Sequence, residues 1–181
     1  GLIRRKTELK KPSEYVLVTC HRSENVDNPS TLNKIIDGLI GLNTTIIFPI
    51  HPRTKKMLKR YRSLQKKLNS SHDIHIVPPV GHIEFLSFLT DASVVLTDSG
   101  GVQVEASILK VPCATIREQT EWMETVQAGF NFLVGTDQKT IKSTVQNLLN
   151  SNYKEALKKR RIPFKGEKAS EEIIKTLLRK E

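Results

Sequence analysis

Six short apolar runs, separated by stretches with helical spacing, restrict this chain to a layered α/β fold. The first, Tyr15–Cys20, reads YVLVTC, nearly unbroken, as a strand buried on both faces requires. Thr45–Pro49, Ile74–Val77, Ser93–Thr97, Pro112–Ile116 and Asn131–Val134 follow it. Between the first two, Asp27-Asn28-Pro29-Ser30 combines a cap with a helix-starting proline. Leu32, Ile35, Ile36, Leu39 and Ile40 then recur at helical spacing. The same spacing predicts helices over Arg53–Leu68, Glu84–Leu89, Glu121–Val126 and Thr140–Leu149, with Ala106–Leu109 part of another. Strands joined through helices form a parallel sheet with right-handed crossovers. The expected fold is a doubly wound, Rossmann-like α/β domain over residues 14–150 with about six parallel strands. Residues 151–181 read as a charged helical tail interrupted by Ile162-Pro163-Phe164-Lys165-Gly166.

Bulk properties narrow the function classes. The 181 residues suffice for one domain with a core, and 38% hydrophobic with 27% charged residues is ordinary for a globular protein. No apolar run approaches the ~18 residues that span a bilayer. Gly1-Leu2-Ile3-Arg4-Arg5-Lys6 lacks the apolar core of a signal peptide. A cytoplasmic protein with no membrane partner is therefore expected. Cys20 and Cys113 give no disulfide framework and fall in strands, as small core residues do. His21, His51, His72, His75 and His82 lack a metal-ligand spacing, so no metal or cofactor is expected.

The formal charge of +10 raises the question of nucleic acid. Arg53, Lys55, Lys56, Lys59, Arg60, Arg62, Lys66 and Lys67 precede the next acid, Asp73. They interleave with Met57, Leu58, Leu64 and Leu68 as on the solvated face of an amphipathic helix. Acids gather elsewhere, at Glu84, Asp91, Asp98, Glu105, Glu118, Glu121 and Glu124. Without stacking aromatics on paired strands, a zinc pattern or a helix-turn-helix, no specific nucleic-acid partner is expected, though nonspecific binding at low salt stays open.

The chemistry-bearing stretch is Thr97-Asp98-Ser99-Gly100-Gly101-Val102-Gln103-Val104-Glu105. A strand that breaks at Ser-Gly-Gly and re-forms as a helix leaves backbone N–H groups unpaired at the positive end of the helix dipole. That end suits a phosphate or pyrophosphate. Glycine allows close approach, and Ser99 adds a hydroxyl. Glu105 falls on the first turn or so of the helix, where phosphate would repel it, so sugar hydroxyls are its better partner. Three other strand ends carry polar groups: His21-Arg22 with Glu24, His51-Pro52-Arg53 and Arg117-Glu118. A parallel sheet brings all four ends to one edge, where ligands bind. Arginine forms bidentate contacts with phosphates, and histidine serves as acid, base or donor. Singly, each has a plainer reading: a Ser-Gly-Gly turn, a His-Pro turn, an Arg22–Glu24 surface ion pair. Dinucleotide, P-loop and nucleophile-elbow patterns do not occur.

VTCHRSEN (Val18–Asn25), FPIHPRTK (Phe48–Lys55), LTDSGGVQVEA (Leu96–Ala106), REQTEWMETV (Arg117–Val126), LVGTD (Leu133–Asp137) and IPFKGEKAS (Ile162–Ser170) occur in that order. Together they resemble the C-terminal half of the non-hydrolysing UDP-N-acetylglucosamine 2-epimerases, over roughly residues 15–176. The resemblance implies one half of a glycosyltransferase-B-type architecture, two Rossmann-like domains with substrate between them. It implies a reaction of polysaccharide biosynthesis: UDP-GlcNAc to UDP-ManNAc, by anti elimination of UDP to a glycal and re-addition to the other face. His21 would be the catalytic group, contacting the diphosphate or assisting departure of UDP with Arg22. Ser99, Gly100 and Gly101 would bind phosphate, Glu105 ribose, and Arg117 the phosphate or sugar side. His51 would join the substrate-binding groups, and Val80 with Phe85 would lie against uracil.

The resemblance also implies partners. Gly1–Ser13 resembles the tail of an interdomain linker, and the N-terminal domain it would lead from supplies the groups that handle the C2 proton. The chain alone is therefore expected to bind UDP weakly and catalyse nothing, and a homodimer is open. Trp122 stands where many relatives carry Arg, Val104 where some carry an acid, and Cys20 where Gly or Ala is frequent. Arg117-Glu118-Gln119-Thr120-Glu121-Trp122 also resembles relatives acting on UDP-2,3-diacetamido-glucuronic acid. A glycosyltransferase of the same architecture and a stand-alone UDP-sugar-binding module are the remaining readings.

Overall fold

A computed structural model describes residues 12–151, 153–164 and 169–178. In chain order the elements are β1 (Val16–Thr19), α1 (Ser23–Val26), α2 (Pro29–Ile40), β2 (Ile46–Pro49), α3 (Pro52–Arg60) and α4 (Arg62–Asn69). Then come β3 (Ile74–Val77), α5 (His82–Asp91), β4 (Val94–Thr97), α6 (Gly100–Ile108) and β5 (Cys113–Thr115). The chain continues through α7 (Met123–Gln127), β6 (Asn131–Leu133), α8 (Gln138–Asn150), α9 (Tyr153–Lys158) and α10 (Ala169–Leu178). The sheet runs β3-β2-β1-β4-β5-β6 and every pairing is parallel. The doubly wound expectation is met, strand for strand.

Alternate residues of each strand feed two cores. Val16, Val18, Ile46, Phe48, Val94 and Leu96 pack with Leu32, Ile35, Ile36 and Leu39 of α2 and Ile141 and Val145 of α8. Tyr15, Leu17, Ile47, Val95 and Cys113 pack on the opposite face with Phe88 and Leu89 of α5 and Ala106 of α6. Burying each large side chain contributes about 1.5–3 kcal/mol. The edge strand β3 buries only Ile74 and Val77. The Tyr15 hydroxyl, fully buried, donates to the Phe88 carbonyl at 2.6 Å. Asn28 caps α2 by accepting from Ser30 and Thr31 N–H groups, with Pro29 as the first helical residue. Both thiols are buried, and burial pushes Cys113 up to about 12, so each cysteine is a packing residue.

Three expectations are corrected. The helix foreseen over Arg53–Leu68 is two, α3 and α4, broken at Tyr61 (φ −102°, ψ 70°). Each helix buries its own apolar residues, Leu58 with Thr54 on α3 and Leu64 with Leu68 on α4. The break also lets the Tyr61 hydroxyl donate to the Asp27 carbonyl at 2.7 Å. Second, the helix after β4 begins at Gly100, which places Glu105 in its second turn. Third, the segment after β1 forms the four-residue α1, which was not foreseen, and Glu24 on it stands 3.7 Å from Arg117. Most of the Gly1–Ser13 linker expectation, and Lys165–Lys168 of the IPFKGEKAS motif, lie outside the described residues. Among the described residues no helix is long and apolar enough to cross a membrane.

Candidate diphosphate site at the strand-order reversal

Chain order reverses between β1 and β4, which lie side by side while their crossovers leave in opposite directions. Such a reversal opens a crevice beyond the strand ends. His21 and Arg22 follow β1, and Ser99, Gly100 and Gly101 follow β4. His51 follows β2 and Arg117 follows β5, the flanking strands. The four polar strand ends are therefore contiguous.

Asp98 fixes the centre of this edge. Its fully buried carboxylate accepts from the His21 N–H (2.9 and 3.1 Å), the Arg22 N–H (2.8 Å) and the Asn25 side-chain amide (3.0 Å). Arg22 Nε donates in turn to the Asp98 carbonyl at 3.0 Å, and Asn25 also donates to the Ile116 carbonyl at 3.1 Å. A buried carboxylate is tolerable only with such donors. Here they tie the ends of β1, β4 and β5 together. Sequence reading counted Asp98 merely as an acid; its place between a buried strand and the glycines was the available signal.

The histidines lie against each other, with ring centroids 4.7 Å apart and planes inclined by 31°. His21 Nδ1 is buried and stands 3.5 Å from Asp98 Oδ1, so the ring's exposed part is its other edge. His51 Nδ1 accepts from the Arg53 N–H at 3.1 Å, capping α3. Partial burial, then the neighbouring His21, holds His51 below the usual histidine range. Neutral His51 thus carries its proton on Nε2, a hydrogen-bond donor at the crevice.

At the start of α6, Ser99 occupies the cap position, but its hydroxyl does not cap the helix. The first-turn N–H groups have no intrahelical acceptor and sit at the positive end of the dipole. A Cβ on Gly100 would run into the Glu121 carboxylate, so an anionic group already lies against this turn. Arg117 Nη1 donates to Glu121 Oε2 at 2.6 Å, and Arg22 Nη2 stands 3.6 Å from Glu121 Oε1. Arg117 Nε is 3.7 Å from Glu24. The Arg22–Glu24 pair weighed from sequence is thus replaced by two crossed pairs, because α1 turns Glu24 toward Arg117.

Glu105 stands further along α6, its Oε1 2.8 Å from His82 Nε2 on α5. Val80 and Phe85 are partly buried against the core that α5 and α6 share. The structure therefore brings Glu105, Val80 and Phe85 to the α5–α6 side and the phosphate-type groups to the crevice. Beneath them runs a polar network that sequence reading missed. Gln103 Oε1 accepts from the Thr120 hydroxyl (2.6 Å) and the Asn131 amide (3.0 Å), and Asn131 accepts from Thr115 at 2.6 Å. It locks α6 to the loop carrying Arg117 and Glu121. Among the described residues no cluster of histidine, cysteine or acidic groups could hold a metal ion.

The sequence pattern of the UDP-N-acetylglucosamine 2-epimerase family matches residues 2–178. The chain belongs to this family. It is 46% identical over 170 residues to the UDP-N-acetylglucosamine 2-epimerase of Methanocaldococcus jannaschii, covering 91% of this chain and 44% of that protein. The crystal structure of the M. jannaschii enzyme in complex with UDP-GlcNAc and UDP superposes with a TM-score of 0.81 at 44% identity, over 91% of this chain and 45% of that one. A UDP-2,3-diacetamido-2,3-dideoxy-D-glucuronate 2-epimerase of Pseudomonas aeruginosa is 37% identical over 144 residues, covering 78% of this chain and 39% of that protein. This epimerase-family chain thus spans less than half the length of these relatives. The family expected from the motifs is the family found.

Proposed function

We propose that this chain is the UDP-binding half of a UDP-sugar 2-epimerase that interconverts UDP-GlcNAc and UDP-ManNAc. The carrying observation is the start of α6 at the strand-order reversal, flanked by Arg22 and Arg117, where an anion is already bound in the form of Glu121. Diphosphate would lie on the α6 N–H groups and the Ser99 hydroxyl, with the two guanidiniums and His51 Nε2 as further donors. Glu105 would exchange His82 for ribose hydroxyls, and uracil would rest against Val80 and Phe85.

In the elimination, the bond from C1 to the UDP oxygen breaks and UDP leaves with the electron pair as C2 loses its proton. Negative charge grows on the leaving phosphate, and fixed dipoles and cations placed there lower that barrier. His21, oriented by Asp98, would donate to the departing oxygen. The C2 proton would be handled by an N-terminal domain, with the substrate between the two domains, and a homodimer belongs to the same reading. The diacetamido-uronate alternative uses the same UDP half and differs only at the hexose.

A calorimetric titration with UDP at moderate salt should give saturable binding between micromolar and millimolar, a range typical of a half-site. The Ser99→Ala/Glu105→Ala variant should lose at least about tenfold, since each residue supplies a hydrogen bond to the ligand. Unaltered binding by the variant would place UDP elsewhere.

A further inference from the structure

Glu121 occupies the place that the preceding reading gives to phosphate. Its carboxylate lies against Gly100 at the start of α6, takes 2.6 Å from Arg117 and stands 3.6 Å from Arg22. In sequence Glu121 falls within the Arg117–Trp122 stretch of the family motif, but nothing there assigns it a role. We propose that Glu121 is an internal stand-in for the ligand's phosphate, holding the crevice in its unliganded state and giving way when a diphosphate enters. The inference rests on the diphosphate reading of the α6 start and adds a residue that sets both affinity and ligand charge.

Charge balance supports it. Arg22 and Arg117 face Glu121 and Glu24, so the cradle holds two cations against two anions, with Asp98 buried behind. A diphosphate cannot settle on the helix start while the Glu121 carboxylate lies against it. Its side chain is 47% exposed, so it is held by charge rather than by burial, and exposed pairs of that kind break easily. Its own backbone N–H, then Arg117, holds its carboxyl below the usual range, so it is an anion at neutral pH. The arrangement favours ligands carrying enough phosphate charge to displace it, which a bare nucleoside does not.

The neighbouring residue reports the exchange. Trp122, the only tryptophan, brings Nε1 within 3.1 Å of where a Gly100 Cβ would stand and meets Phe164 edge-on at 5.7 Å. Departure of Glu121 must change its surroundings. The test is to titrate the chain with inorganic pyrophosphate, UDP and uridine, following Trp122 fluorescence and heat, and to repeat it with Glu121→Gln. Pyrophosphate and UDP should shift the fluorescence of the unaltered protein. Glu121→Gln should bind both about fivefold more tightly, the factor for releasing an exposed ion pair, with uridine unaffected. If UDP binds the unaltered protein and Glu121→Gln binds it equally or more weakly, with an unchanged melting temperature, this inference fails and the UDP reading stands. If neither protein binds UDP, both fail.

Discussion

Asp98→Ala is expected to remove about 3 kcal/mol of folding stability and to abolish UDP binding. The carboxylate satisfies two backbone N–H groups and the Asn25 amide inside the protein. Its removal orphans both N–H groups and one Asn25 amide hydrogen, the other staying on the Ile116 carbonyl. Each buried donor left unpaired costs about 1–3 kcal/mol, reduced where water can enter the new cavity. The same donors fix His21 and Arg22, so the end of β1 loses its alignment with β4. Urea unfolding reads the first effect and a UDP titration the second. A stability change below about 1 kcal/mol would mean that the contacts carry no net energy, which surface ion pairs show but buried networks do not.

Gly100→Ala is expected to separate binding from folding. At the first position of α6 the backbone of Gly100 is not left-handed, so alanine is conformationally acceptable there and helix propensity slightly favours it. The new methyl meets the end of the Glu121 side chain, which can swing aside, and comes within 3.1 Å of Trp122 Nε1, which must shift slightly. The melting temperature should therefore move by no more than a few degrees. The methyl nevertheless fills the place assigned to phosphate, and UDP affinity should fall at least about tenfold. Retained affinity would show that the ligand's phosphate does not approach this turn.

The contrast between these variants reflects what a sequence makes visible. Strand runs such as Tyr15–Cys20 and the Asn28-Pro29 helix start are local signals, and the sheet assembled from them as expected. Gly100 and Gly101, poor helix formers, read as a turn because intrinsic propensity was overridden by packing of Gln103 and Ala106. The α3–α4 break was hidden because charged residues follow helical spacing on either side of Tyr61. At the candidate site, residues at strand ends were legible because parallel topology alone carries them to one edge. Asp98 and Glu121 were not, since their roles come from partners 76 and 21 residues away in sequence: Arg22 for the first and, through Gly100, the start of α6 for the second. Gln103 was hidden likewise, its partners Thr120 and Asn131 lying beyond the next strand or turn.

The proposed function requires UDP to place its diphosphate on the start of α6 at the β1–β4 reversal. The most direct measurement is a map of backbone amide NMR shifts on the labelled chain during a UDP titration. The largest shifts should fall at Ser99, Gly100, Gly101 and Val102, with further shifts at His21, Arg22 and Glu121, all saturating together. Shifts confined to the basic faces of α3 and α4, with residues 99–102 unmoved, would contradict it and leave UDP bound only as a nonspecific anion.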